Sequence, residues 1–468
     1  MRQALHIFKK DARFLWREIT FILLLDGVFA WVNPWWLAAL LLAASGYLIA
    51  RLVHAEAIPG DRQFWITRPY RWSSLLGAKL LFVVVFVNLP ILLAQIIRVS
   101  AAGFPLLPCI PGLLWSQFLI LLLGSLPVIA LAALTAGIVP FIFSTLILVT
   151  VWYSMETPIL FSAEIRKPLW PGGIEWIRET VVVAGLAAAL LCILYVLYRK
   201  RRTFLGRVVA VAGTVIAAVA YWYLPWAPAW ALQSRLAKQT VENSALRLSV
   251  DRNGIEFRPR KANTWENVEV RLPLTVTGVP DALDVRMDAA DVRLQAPDGR
   301  IWKSSLGGAM RHAAGPGTMR LDVTTTVDLP FFNWERQQAV TIRGSVYLTL
   351  FGNHRAATIP LSHTPVNALD GLRCHLGIFD QFFCDAAFGW PARLVYARFG
   401  EITSPLTESV SYSPFPSGLH LDPVETRWAP SLPRSAREVT VEVEEPLAHV
   451  RRNFEIQGVR MEASLKSE

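Results

Sequence analysis

Negative charge is the scarcest feature of the first 232 residues. That stretch holds 19 Lys/Arg against 9 Asp/Glu, which leaves 27 of each for residues 233–468. The second half lacks something different: it has no long apolar run. The chain is 53% hydrophobic and 18% charged, whereas a soluble protein carries about 25% charged residues. The net charge of +10 therefore sits in the first half. There it falls in short stretches between apolar runs. That pattern reads as the positive-inside bias of membrane proteins and argues against a nucleic-acid surface.

Catalytic signatures are also missing. No G-x-x-x-x-G-K-[ST] phosphate loop, H-E-x-x-H or G-x-S-x-G occurs. His312, His354, His363, His375, His420 and His449 are scattered, and His375, Asp380 and Asp385 are too loosely grouped to read as a metal site. Trp265, Trp302, Phe331, Phe332 and Trp334 read as β core before ligand surface. There are only four cysteines. Cys109 and Cys192 fall in or beside apolar runs and read as packing residues. Cys374 and Cys384, in CHLGIFDQFFC, are a candidate disulfide if that half lies outside the cytosol. Their spacing does not suit zinc, which favours C-x2-4-C pairs. No cleavable signal peptide is expected, because MRQALHIFKKDARFLWRE stays charged for too long.

The apolar runs organise the first half. Residues 1–18 predict an amphipathic interfacial helix, with Leu5, Phe8, Ala12, Leu15, Trp16 and Ile19 on one face and Lys9, Arg13 and Arg17 on the other. Apolar runs then follow at about 19–32, 35–53, 74–97, 112–132, 137–154, 179–198 and 204–224. Asn33-Pro34 separates the first two, and Thr135-Ala136-Gly137 marks a weak break between the fourth and fifth. A loop at 155–177, rich in Pro, Gly and Trp, reads as anchored at the outer interface. About seven spans with a cytoplasmic N-terminus put three basic clusters inside: Lys9 to Arg17, Arg51 to Lys79, and Arg199 to Arg207. Arg98 then lies outside, as does everything after the last span. The expectation is a multi-pass protein of a bacterial inner membrane with a periplasmic C-terminal half.

After Trp230 the period changes to two. Leu246, Leu248 and Val250 alternate with polar residues, as do Val268, Val270 and Leu272. DVRLQA-PDGR-IWKSS reads as a hairpin. The fold class predicted is an α-helical polytopic membrane domain (19–232) followed by an all-β, sandwich-like extracytoplasmic domain (233–468). A split into two modules is expected near 363–371.

The polar, basic and aromatic stretch at 54–79 lies between two apolar runs and cannot enter lipid. It resembles the cytoplasmic segment between the second and third spans of ABC-2-type transporter permeases. The matching features are Glu56, Gly60, Phe64 to Pro69, and Leu75-Leu76-Gly77-Ala78-Lys79. The preceding amphipathic helix matches too, as does a set of six spans with an outer loop before the sixth. The resemblance covers about residues 1–202; the seventh span and the β-rich half lie beyond it. It implies a permease that pairs with a separate ABC ATPase subunit and a second permease copy, ATP being bound by the ATPase. The segment expected to meet the ATPase is 54–73, through Glu56, Asp61, Arg62, Gln63, Phe64, Trp65, Arg68, Pro69, Arg71 and Trp72. No cofactor or metal is expected, and the other partner is lipid. The alternative is a membrane-anchored sensor or assembly protein whose outer β domain binds a partner.

Overall fold

The computed structural model describes residues 2–32, 35–55, 71–161, 175–200, 202–223, 226–236, 246–262, 265–280, 283–307, 310–313, 318–369, 371–377, 381–387, 394–399, 402–405, 407–408, 421–429 and 436–462. The chain divides into two compact units. One is Met1–Trp152, Val181–Val219 and Ala356–Val443; the other is Tyr153–Thr180, Ala220–Arg355 and Glu444–Glu468. The stretch HTPVNALDG, at 363–371, holds the short strand Val366–Leu369 and lies within the first unit.

The helices are α1 (Arg2–Phe14), α2 (Trp16–Trp31), α3 (Trp35–His54), α4 (Trp72–Ala101), α5 (Leu106–Leu134), α6 (Ile138–Phe161), α7 (Glu175–Tyr195), α8 (Thr203–Tyr223), α9 (Trp226–Leu236) and the short α10 (Leu329–Glu335). Among the described residues, four stretches are long and apolar enough to cross a bilayer: Trp36–His54, Trp72–Ala101, Leu106–Leu134 and Val183–Lys200. Shorter apolar helices lie at Ile138–Thr150 and Thr203–Ile216. Apolar runs of this kind become helices in lipid because a helix satisfies its own backbone polar groups.

The α5–α6 break falls where the sequence places it. Thr135 is extended (φ −103°, ψ 146°), and α6 begins at Ile138. Helix α6 reaches Phe161, so the first part of the expected 155–177 loop is helical. Residues 162–174 lie outside the described residues.

Two of the longest helices each contain a π turn, at Val84–Asn88 in α4 and Ile120–Ser125 in α5. Each lies just upstream of a proline, Pro90 and Pro127. A proline inside a helix has no N–H to donate, and its ring presses on the carbonyl four residues back, here Phe86 and Leu123. Widening the turn relieves that clash and lets each helix continue.

The second unit is largely antiparallel sheet. Strands β1 (Arg247–Val250), β2 (Glu256–Ala262), β3 (Trp265–Thr277), β6 (Met310–Ala313) and β7 (Thr318–Asp328) form one sheet, with β1 and β2 both pairing with β3. Strand β4 (Asp284–Gln295) pairs with β5 (Ile301–Gly307) and with the first part of β8 (Ala339–Pro360). Period two governs the burial. Val268, Val270, Leu272, Leu274 and Val276 alternate inward from β3. They share one core with Val285, Met287, Val292, Val340, Ile342, Ala448 and Val450. A bulge between Met287 and Ala289 shifts the phase by one residue, so Met287 and Ala290 both face the core.

In the first unit, residues 356–443 form a smaller β module. Its sheet runs β14 (Thr407–Glu408), β15 (Val424–Ala429), β11 (Phe382–Ala387), β10 (Leu372–Leu376), β9 (Val366–Leu369). Strands β12 (Leu394–Phe399) and β13 (Ile402–Pro405) form a second hairpin beside the start of β16 (Glu438–Arg460). Cys374 and Cys384 are register partners across β10 and β11, and a disulfide joins them with Cα atoms 4.0 Å apart. Both are buried in the module's core with Phe382, Val395 and Val441.

Candidate functional site

Contacts inside the first unit sort its helix ends into two groups. Asp11 of α1, Glu18 at the start of α2, Leu52 and His54 at the end of α3, Lys79 near the start of α4, and Leu134 at the end of α5 gather at one end. Glu18 meets Arg51 at 3.4 Å, the His54 ring nitrogen Nε2 lies 2.9 Å from the Ala132 carbonyl, and Arg207 donates to the Leu134 carbonyl at 3.3 Å. Trp72 packs edge-on against Tyr195, with centroids 6.2 Å apart. At the other end, the Arg98 guanidinium lies over the Phe29 ring, 5.7 Å from its centroid.

The first group is built around a buried ion pair. Lys79 Nζ donates to Asp11 Oδ2 at 2.8 Å and to the Leu52 carbonyl at 3.0 Å. The two charged side chains are 1% and 2% exposed. Phe8 stacks on Phe86, centroids 5.6 Å apart, and meets Phe82 edge-on at 6.2 Å. Helix α1 is thereby fastened to α4 and to the last turn of α3. Its buried stripe runs through Ile7, Asp11 and Leu15, rotated from the apolar face the sequence suggests. Leu5 and Trp16 are 47% and 57% exposed. The rotation brings Asp11 inward, where it bonds Lys79.

This clamp holds both chain ends of the segment expected to meet an ATPase. Of that segment, Glu56, Asp61, Arg62, Gln63, Phe64, Trp65, Arg68 and Pro69 lie outside the described residues. Arg71 and Trp72 are described: Arg71 is the extended residue before α4 (ψ 130°), and Trp72 is its first residue.

A line of buried polar side chains climbs from the clamp toward the other end. Asn88, in the π turn, donates Nδ2 to the Gln117 side-chain oxygen and to the Gln117 carbonyl, both at 3.2 Å. Gln117 Nε2 donates to Gln95 Oε1 at 2.9 Å. Gln95 Nε2 donates to Ser116 Oγ at 3.3 Å and to the Leu421 carbonyl at 3.0 Å. One turn above, Arg98 grips Asp422 with two bonds, Nε to Oδ1 at 3.2 Å and a terminal nitrogen to Oδ2 at 2.9 Å. Asp26 of α2 is buried and, among the described residues, has no hydrogen-bond partner.

Leu421 and Asp422 belong to the β module, so the module rests on the α4–α5 hairpin. Leu421 is buried in the helical core, and Ala387 packs with Val99, Phe104, Cys109 and Leu113. Arg373 donates to the Ala102 carbonyl. Gly103 makes this approach possible. Its φ is +77°, and a Cβ there would collide with the Arg373 guanidinium. Cys109 is buried and free; Cys192 is free and exposed.

The second unit has a buried group of its own. His449 Nδ1 and Thr349 Oγ1 share a hydrogen bond of 2.9 Å, and the His449 ring meets Trp230 edge-on at 5.4 Å. Burial pushes His449 down from the usual imidazole value to about 4. Of the aromatics singled out in the sequence, Trp302, Phe331 and Phe332 are buried in the core, while Trp334 is exposed beneath Arg300, whose guanidinium stands 5.0 Å from the ring. The Trp265 side chain and Asp380 lie outside the described residues. His375 Nδ1 lies 3.6 Å from Asp385 Oδ2, and Asp385 accepts from Thr426 at 2.7 Å. Among the described residues, no three metal-ligating groups come together.

The disulfide joins the two cysteines that the sequence offered as a pair. Sequence reading missed Asp11, Gln95 and Asp422, whose partners lie far along the chain, and the buried Asp26. The one available signal was polarity inside apolar runs, at Asp26, Asn88, Gln95 and Gln117. No protein-family model matches the chain, and no curated protein matches it.

Proposed function

We propose that this chain is the transmembrane permease subunit of an ABC-2-type transporter. A separate ABC ATPase subunit binds and hydrolyses ATP, and a second permease copy completes the pathway. In this reading about seven spans cross a bacterial inner membrane with the N-terminus in the cytoplasm, and the β-rich half, sandwich-like, lies in the periplasm. The two-layered sorting of helix ends supports it. Helices α4 and α5 are each long and apolar enough for a single crossing, and the β module rests at the end of the α4–α5 hairpin opposite the clamp.

The observation that carries the proposal is the Asp11–Lys79–Leu52 clamp. A segment that transmits a push from a soluble motor must be mounted on something stiff. Here Lys79, just past the 54–73 segment, bonds Asp11 of α1 and the Leu52 carbonyl just before the segment. Arg62, Arg68 and Arg71 supply charge for orienting an acidic partner surface, and Phe64, Trp65 and Trp72 supply apolar anchors. The chain has no phosphate loop of its own, which is why a separate ATPase is invoked.

Affinity purification of the full chain from its native membrane tests this. A co-purifying protein with a phosphate-loop motif, lost with Arg62→Glu and Trp65→Ala together, supports the permease reading. Retention of the same partners by the double variant, with no ATPase among them, favours the sensor or assembly reading.

A further inference from the structure

Asp26 lies on the buried face of α2, with Ile19, Ile22, Phe29 and Ala30. It is 4% exposed, and among the described residues neither of its carboxylate oxygens has a hydrogen-bond partner. Three residues on, Phe29 lies under the Arg98 guanidinium. Helices α2 and α4 pack together and run the same way, from the clamp toward Gly103. Asp26 is therefore about one helical turn below Arg98, level with Gln95. Arg98 is bonded to Asp422 on the β module through Nε and a terminal nitrogen. One guanidinium thus stands near two carboxylates and is bonded to one of them.

An ionised carboxylate left alone among apolar helices is far costlier than the neutral acid. Among the described residues, the other helices packed on α2 place no second cation level with Asp26. On α4, Lys79 is at the far end and paired with Asp11; Asn88, in the π turn, is uncharged. On α3, the titratable group between Trp35 and Arg51 is Tyr47, which lines a groove with Arg17 and Glu18 toward the clamp end. The charged residues of α1 also lie at the clamp end. The groups facing Asp26 from its own end are Arg98 and, beyond it, Asp422.

We propose that Asp26 is a proton-binding site whose proton is exchanged for Arg98 when the β module lets go of the helical hairpin. With the module docked, Arg98 is paired with Asp422 and Asp26 is the neutral acid. When Asp422 leaves, Arg98 swings one turn down to Asp26. The Asp26 O–H bond breaks, the electron pair stays on the carboxylate, and the proton passes to water at the Gly103 end. Arg98 and Asp26 are then a neutral pair, Asp422 is a hydrated anion, and one proton has been released. Low pH on that side holds the module down; high pH favours its release. The inference rests on the membrane setting of α2 and is independent of any ATPase.

The full-length protein in lipid nanodiscs, treated with dicyclohexylcarbodiimide, tests it. This apolar carbodiimide modifies protonated carboxyls within lipid, and peptide mass spectrometry locates the label. The expected result is modification at Asp26 that declines as pH is raised over about 5 to 9. Asp422→Asn, which frees Arg98, should lower labelling several-fold at a given pH. Arg98→Gln should raise it and carry it to higher pH, and Asp26→Asn should abolish it. The infrared C=O stretch of a protonated carboxyl, assigned by its loss in Asp26→Asn, reads the same site without chemistry. Absence of both label and band at every pH overturns the proposal. So does labelling that is identical in the wild type, Asp422→Asn and Arg98→Gln.

Discussion

Lys79 donates to Asp11 at 2.8 Å across 68 residues of chain, and neither side chain is more than 2% exposed. A buried pair of this kind is costly to break from one side, because the surviving charge is left without a partner in a low-dielectric interior.

Lys79→Met or Asp11→Asn alone should therefore destabilise the helical unit by about 3–5 kcal/mol. Replacing both, as Lys79→Met with Asp11→Leu, should recover most of that loss, since no charge is stranded. Thermal unfolding of the purified protein in detergent reads this. Equal melting of the wild type and both single variants would remove the clamp from the account.

The hold of the β module on the hairpin should depend on Gly103 and Asp422. Gly103→Val puts a branched side chain where the Arg373 guanidinium sits, in a backbone conformation that suits glycine. Asp422→Ala removes the partner of Arg98, a half-screened pair worth about 1 kcal/mol. Both variants should make the 356–443 module more susceptible to limited proteolysis, with Gly103→Val the stronger. Unchanged cleavage in both would count against docking through this contact.

Loss of the Cys374–Cys384 bond should cost about 2–3 kcal/mol, because the cross-link restrains a short loop in the unfolded chain. The double Cys→Ser variant should melt lower than the oxidised wild type and match the wild type under reductant. Thiol titration of the oxidised protein after denaturation should find Cys109 and Cys192 alone.

Acid should weaken the second unit through His449. Its imidazole is held neutral by burial, at about 4 against an ordinary 6.5. The unfolded chain then binds the extra proton first, so this contribution is intact above pH 6.5 and is lost as pH falls toward 4. After allowance for its partial exposure, the loss should be about 1–2 kcal/mol. Denaturant unfolding at several pH values, with His449→Gln as the flattened control, measures it.

Much of the helical layout is legible in the sequence, because an apolar run bounded by Asn33-Pro34 or by Thr135 to Gly137 has few alternatives in lipid. The strands of β3 and β4 are legible for a similar reason: side chains alternate with period two. Other features depend on distance along the chain. Asp11 reads as one more polar residue on an amphipathic helix until Lys79 is seen beside it. The β module at 356–443 carries no composition change at its edges. The chain enters and leaves it within β8 and β16, strands of 22 and 23 residues that continue unbroken. The Arg98–Asp422 bond spans 324 residues, beyond any local pattern.

The central claim is that the segment between α3 and α4 meets an ATPase. A photo-crosslinking amino acid in place of Trp65, activated in native membranes with the full chain present, tests it most directly. The account predicts a crosslinked product that contains a phosphate-loop ATPase and disappears when Arg62→Glu is added. Crosslinks to lipid alone, or to partners carrying no such motif, would contradict it.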